Sequence, residues 1–255
     1  MQQPNICFKF YATLLDAFQT YLDSDIIWER YWGFSENPPH TPEEFRQAQF
    51  QSLIDKINRK PIDSEAADRG TAFNEVIDCM VLGRNSDRVR IVKVKAEDGA
   101  IAGVNATLNE RTFFFPLALV REFADYYKGA LPQQYVSAIL PTIYGDVMLY
   151  GYIDYVMPFC THDLKTTGQY AVGNYKNHWQ HLVYPYALFE NGVNVPDFEY
   201  NIVELGKTFY RTYTESYSYV PERDVPRLTR HCEELILFLQ ENRELITDKK
   251  IFNLI

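Results

Sequence analysis

Between Tyr11 and Leu22 the apolar residues Leu14, Leu15, Phe18 and Leu22 fall at helical spacing, which predicts a first helix. Trp28, Tyr31 and Trp32 follow as an aromatic cluster, and Asn37-Pro38-Pro39 breaks the pattern. Thr41, Pro42 and Glu44 then have the order of a capping box with proline at the first helical position. A second helix is expected from there to about Asn58. Ser64 can cap a third, in which Ala66, Phe73, Val76, Ile77 and Met80 recur at helical steps. Gly70 lies inside it, where glycine costs about 1 kcal/mol against alanine, so a close-packing reason is expected.

The period then changes. Residues 88–95 alternate as a strand, Asp98-Gly99 is a turn signal, and a second strand should follow, giving an inserted β unit. A helix is expected over about Pro116 to Lys128. Tyr135 to Tyr144, Val147 to Val156 and Phe159 to Lys165 read as three successive strands, a meander. A helix over about Tyr175 to Glu190 carries Pro185, which should kink or bound it. Strands near Phe198 to Leu205 and Phe209 to Ser218 and a closing helix from Pro221 complete the chain. This order predicts an α/β (α+β) fold with a central mixed sheet flanked by helices. The 255 residues suit one domain, with N-terminal helices over 1–60, a core over about 64–205 and a C-terminal helix over about 221–246.

Composition narrows the function classes. The net charge of −9 argues against a broad DNA-coating surface, so any nucleic-acid contact needs a local basic groove. Cys7, Cys79, Cys160 and Cys232 form no CxxC pair, which argues against a zinc or iron–sulfur centre of that kind and for reduced thiols. Met1-Gln2-Gln3-Pro4-Asn5 lacks the basic and apolar run of a signal peptide, and no apolar stretch reaches about 18 residues. A cytoplasmic protein without membrane attachment is expected; oligomeric state is open.

The candidate chemistry lies in the meander. Alternation puts Asp163 and Lys165 on one strand face with Leu164 turned into the core. If Met157 to Cys160 form the turn, Asp154 stands opposite Asp163 on that same face. Two carboxylates so close raise one pKa unless a cation intervenes, and such oxygen-rich sites suit Mg²⁺ or Mn²⁺. Lys165 would orient water or neutralise phosphate charge. The plain alternative is a solvated hairpin bearing two acids and a lysine.

These residues carry a resemblance. Gly151-Tyr152-Ile153-Asp154 followed by His162-Asp163-Leu164-Lys165-Thr166 is similar to the core motifs of PD-(D/E)XK nucleases, in the branch of RecB-, Cas4- and phage λ exonuclease-like enzymes. Arg69-Gly70-Thr71-Ala72-Phe73-Asn74-Glu75 resembles that branch's first motif, and Gln180 with Tyr184 resembles its Q-x-x-x-Y motif. The resemblance spans about residues 64–190 and implies a restriction-endonuclease-like core. It implies a Mg²⁺-dependent deoxyribonuclease of recombination or repair, an exonuclease by family analogy, with DNA and possibly repair proteins as partners. Asp154, Asp163, the Leu164 carbonyl, and Asn74 or Glu75 would hold metal; Gln180, Tyr184, Arg69, Thr166 and Lys176 would support the site or touch DNA. Asn74 stands where the branch has His or Glu, so Glu75 is the alternative ligand. No iron–sulfur cluster is implied. Two rival readings are a nuclease-fold module that only binds nucleic acid or assembles a complex, and a restriction-type endonuclease. His162 is expected to be structural, His178 and His181 to be surface residues without a role rather than DNA contacts, and Lys176, Lys207 and Arg211 to be either phosphate contacts or solvated charges.

Overall fold

A computed structural model describes residues 5–254. The expectation read at Met1 to Pro4 lies outside them. The architecture is a mixed central sheet with helices on both faces, which is the α+β arrangement expected.

The N-terminal region opens with β1 (Ile6–Tyr11), which runs directly into α1 (Ala12–Leu22), followed by α2 (Ser24–Trp32). The strand and α2 are additions to the expected elements: the aromatic cluster sits on a helix whose only buried residue is Ser24. In α3 (Pro42–Ile57) the Thr41 hydroxyl accepts from Glu44 N–H and the Glu44 carboxylate accepts from Thr41 N–H, so the capping box forms as the sequence dictates. Ser64 caps α4 (Glu65–Leu82), and Gly83, at φ 62°, ends it in the left-handed conformation that glycine adopts without strain.

A three-stranded antiparallel sheet follows, β2 (Arg90–Lys95), β3 (Ile101–Leu108) and β4 (Arg111–Pro116), the expected inserted unit with one strand more. After α5 (Leu117–Tyr126) come β5 (Leu131–Leu140), β6 (Asp146–Val156), β7 (Cys160–Thr167), α6 (Gln180–Glu190), β8 (Asp197–Leu205), β9 (Tyr210–Ser218) and α7 (Pro221–Glu241). The helix α6 begins later than expected, at Gln180, and continues through Pro185.

The central sheet is organised around β6. On one edge β6 pairs with β5 along its length. On the other, β1 runs parallel to Asp146–Tyr150, whereas β7 pairs antiparallel with only Tyr155 and Val156. β7 then pairs parallel with β8, and β8 antiparallel with β9. The second edge of β6 is therefore a fork: β1 and β7 occupy its two ends and the backbone between them opens.

Two cores flank the sheet. One gathers α1, α3, α6 and α7 residues such as Leu15, Ile57, Val183 and Leu235 against Ile153 and Tyr200. The other packs α4, α5 and the small sheet, through Phe73, Phe115 and Val120, against Tyr155, Leu164 and Val203. Among the described residues no helix is long and apolar enough to cross a membrane.

Candidate active site

The fork is where the two strand acids meet. The ladder pairs Tyr155 with His162, and the same register carried one residue further puts Asp154 opposite Asp163. No ladder hydrogen bonds are made there. Instead Asp154 Oδ2 accepts the Leu164 N–H at 2.9 Å, satisfying a backbone donor that the parted strands leave unpaired. Leu164 itself is buried in the second core, as alternation requires.

Asp163 is buried and meets two groups. Lys165 Nζ lies 2.6 Å from Asp163 Oδ2. Gln180 Nε2 donates to Asp163 Oδ1 at 2.5 Å, while Gln180 Oε1 accepts from Lys165 Nζ at 2.9 Å. An ammonium only donates and a carboxylate only accepts, so the amide orientation of Gln180 is fixed by its neighbours. Tyr184, one turn along α6, places its hydroxyl 3.4 Å from Gln180 Nε2. Its ring packs where a side chain on β6 would stand: a Cβ on Gly151 would meet Tyr184 Cε1 at 2.7 Å. Glycine at 151 is thus required by the approach of α6. The start of α6 is held from α1, where Asp16 Oδ1 accepts the Trp179 N–H at 2.6 Å; an acid there also suits the helix dipole.

From the other face, α4 brings Asn74, whose Nδ2 lies 3.4 Å from Asp154 Oδ2. Gly70, one turn earlier, lets α4 lie against β7: a Cβ there would stand 3.2 Å from Thr166 Oγ1, which is the close-packing reason expected. Asp78, one turn beyond Asn74, is fully buried and accepts the Tyr155 hydroxyl at 2.6 Å. Burial raises its pKa. Asp78 was not among the expected site residues, although its four-residue spacing from Asn74 marks the same helix face.

Glu75 departs from expectation. Its carboxylate turns away to Arg84 at 2.8 Å and Arg88 at 2.7 Å, and those guanidiniums, against the opposing effect of burial, hold it below the usual carboxylate range. Adjacent helical residues point about 100° apart, and here that angle gives Asn74 to the fork and Glu75 to the arginines. Arg69 is paired with Glu65 and lies over Phe113, and Lys176 is exposed in the turn before α6; neither has a polar contact with the acids among the described residues. Arg69 and Lys207 instead line a groove of about 720 Å³ with Phe114 and Phe209. His162 is buried, with Nδ1 3.1 Å from Asn201 Oδ1. His181 is not a surface residue: it is buried, 3.1 Å from the Tyr200 hydroxyl and stacked on Tyr217. His178 is partly exposed beside Asp16.

The electrostatics follow from this crowding. Burial, and then the charge of Asp163, push the Asp154 carboxyl up to about 7, with Lys165 and the Leu164 N–H opposing. For Lys165, burial works against the charge but Asp163 and Asp154 outweigh it, so the ammonium is held above its ordinary range. Asn74 Oδ1 and Asp163 Oδ2 are buried oxygens without an aligned hydrogen bond, although Lys165 is near the latter. The two acids and the unpartnered Asn74 oxygen form a donor set that fits a hard divalent cation such as Mg²⁺.

No protein-family profile and no curated protein matches the chain. A solved structure described as the crystal structure of SSO0001 aligns with 90% of this chain and 75% of its own at 8% identity and a TM-score of 0.37, a likeness too weak to carry an argument.

Proposed function

We propose that the chain is a divalent-metal-dependent phosphodiesterase acting on DNA, built on a restriction-endonuclease-like core of the PD-(D/E)XK type. The observation that carries this reading is the convergence at the fork of Asp154, Asp163 and Lys165 with Gln180. Asp154 and Asp163 would hold Mg²⁺ or Mn²⁺ with the Asn74 amide oxygen and the Leu164 carbonyl. When bound, the ion supplies a water of lowered pKa and a Lewis acid for the phosphate oxygen. Lys165 holds its proton firmly, so it serves to orient the nucleophile and offset phosphate charge rather than as a base. Gln180 fixes the direction of both Lys165 and Asp163, and Tyr184 fixes Gln180. Lys207 and the exposed rings of Phe114 and Phe209 give the groove a cation and stacking surfaces of the kind a nucleic-acid strand uses, while Arg69 there is paired with Glu65.

The exonuclease preference, a role in recombination or repair and any partner proteins rest on the family resemblance alone. The test uses linear and closed circular DNA with Mg²⁺ or Mn²⁺. Linear DNA should be degraded and circular DNA spared, and Asp163→Asn should abolish cleavage while far-UV circular dichroism stays unchanged. Cutting of the circle would instead favour an endonuclease. One observation favours a second reading, a module that binds nucleic acid without cutting it: the helix offers Asn74, and Glu75 is taken by arginines. DNA binding with no metal-dependent cleavage would decide for that module.

A further inference from the structure

The face of β7 opposite Asp163 and Lys165 carries a different set of donors. Cys160 and His162 are two residues apart and share that face. β8 lies parallel beside them and sets Glu199 opposite His162. Cys160 Sγ, a His162 ring nitrogen and a Glu199 carboxylate oxygen all lie within 4.8 Å of one another. His162 Nδ1 lies 3.4 Å from Glu199 Oε2.

The surroundings suit a cation that the chain itself does not supply. Among the described residues Glu199 pairs with no lysine or arginine; the Tyr126 hydroxyl donates to it at 2.8 Å and the Asn201 amide approaches at 3.4 Å. Such outer partners orient a ligating carboxylate. His162 Nδ1 is also 3.1 Å from Asn201 Oδ1, but that oxygen accepts the Tyr127 hydroxyl at 2.6 Å and keeps a partner if Nδ1 turns to a metal. A cavity of about 430 Å³ is lined by two of these outer partners, Tyr126 and Asn201.

We propose that Cys160, His162 and Glu199 form a metal site of the zinc type, with a water as the fourth ligand. Sulfur, imidazole and carboxylate are the donors of Zn²⁺, and a sulfur ligand disfavours Mg²⁺. Binding releases the Cys160 thiol proton to solvent, after which one thiolate and one carboxylate balance the two charges of the ion. The site uses the opposite face of β7 from the acids of the fork, and the proposal does not rest on the phosphodiesterase reading.

The experiment titrates Co²⁺ into reduced, metal-stripped full chain in saturating Mg²⁺, so that the oxygen site is occupied. The expected result is one equivalent bound, with a thiolate-to-cobalt charge-transfer band and the strong visible absorption of four-coordinate Co²⁺, both displaced by Zn²⁺. Cys160→Ser should remove the charge-transfer band, and Glu199→Gln should weaken binding by at least about tenfold. Tyr126→Phe, which loses an outer partner, should weaken it by roughly 10–100-fold. Asp163→Asn should keep the band. Absence of the band in the wild type, or its persistence in Cys160→Ser, overturns the assignment. If Cys160→Ser fails to fold, Glu199→Gln decides: unchanged Co²⁺ affinity there overturns it equally.

Discussion

Replacing Asp154 by asparagine removes a charge from the fork but keeps the side chain's size and an oxygen able to accept the Leu164 N–H. In the metal-free fold, burial and then Asp163 move this carboxyl from 3.8 to about 7. At about 1.36 kcal/mol per pH unit, that separation is on the order of 4 kcal/mol between the protonated and ionised forms. Solvent reaching a half-buried carboxylate trims it to a few kcal/mol at most. The folded value lies above the unfolded one, so the protonated acid favours the native state. Wild-type stability is therefore lost as pH rises from about 4 to about 7 and is level above that window. Asp154→Asn lacks this loss. Urea denaturation in EDTA across that range should show the variant gaining on the wild type as pH rises, then holding a constant advantage. Mg²⁺ should reverse the ranking at pH 8, because it binds and stabilises the wild type. A difference that does not vary with pH, or a variant that loses ground as pH rises, would refute the electrostatic account of the fork.

Other substitutions test its remaining parts. Lys165→Met should lower cleavage by about 10²-fold or more, measured at saturating metal, with the fold intact by circular dichroism. Gly151→Ala would set a Cβ 2.7 Å from Tyr184 Cε1 and cost about 1–3 kcal/mol in denaturant unfolding, with a fall in kcat as Gln180 shifts. Glu75→Ala leaves Arg84 and Arg88 without their shared acid and should cost about 1–3 kcal/mol, yet leave Mg²⁺ affinity unchanged by calorimetry. A loss of metal binding in that variant would return Glu75 to the site.

What the sequence made legible was local or strictly periodic. The Thr41 capping box needs only four residues, and alternation alone places Asp163 and Lys165 together with Leu164 in the core. The Asp154–Asp163 pairing was readable because the hairpin between their strands is short. β1 escaped notice because it runs into α1 at Tyr11 without a turn signal, and its partner strand begins at Asp146. α2 escaped because it has no buried stripe to give it a period. The orientation of Glu75 depends on Arg84 and Arg88, which reach it only after the chain reverses at Gly83. His181 is buried by strands β8 and β9 that its own neighbourhood does not announce.

The turn from Met157 to Phe159 is accordingly the stretch of this chain least able to absorb an inserted or deleted residue. β8 fixes β7 over eight pairs, so an altered loop cannot simply drag the strand along. If the strand did slip by one position, histidine and leucine would exchange places with the acid and the lysine. A slip of that kind would turn the molecule's chemistry inside out while every helix kept its sequence.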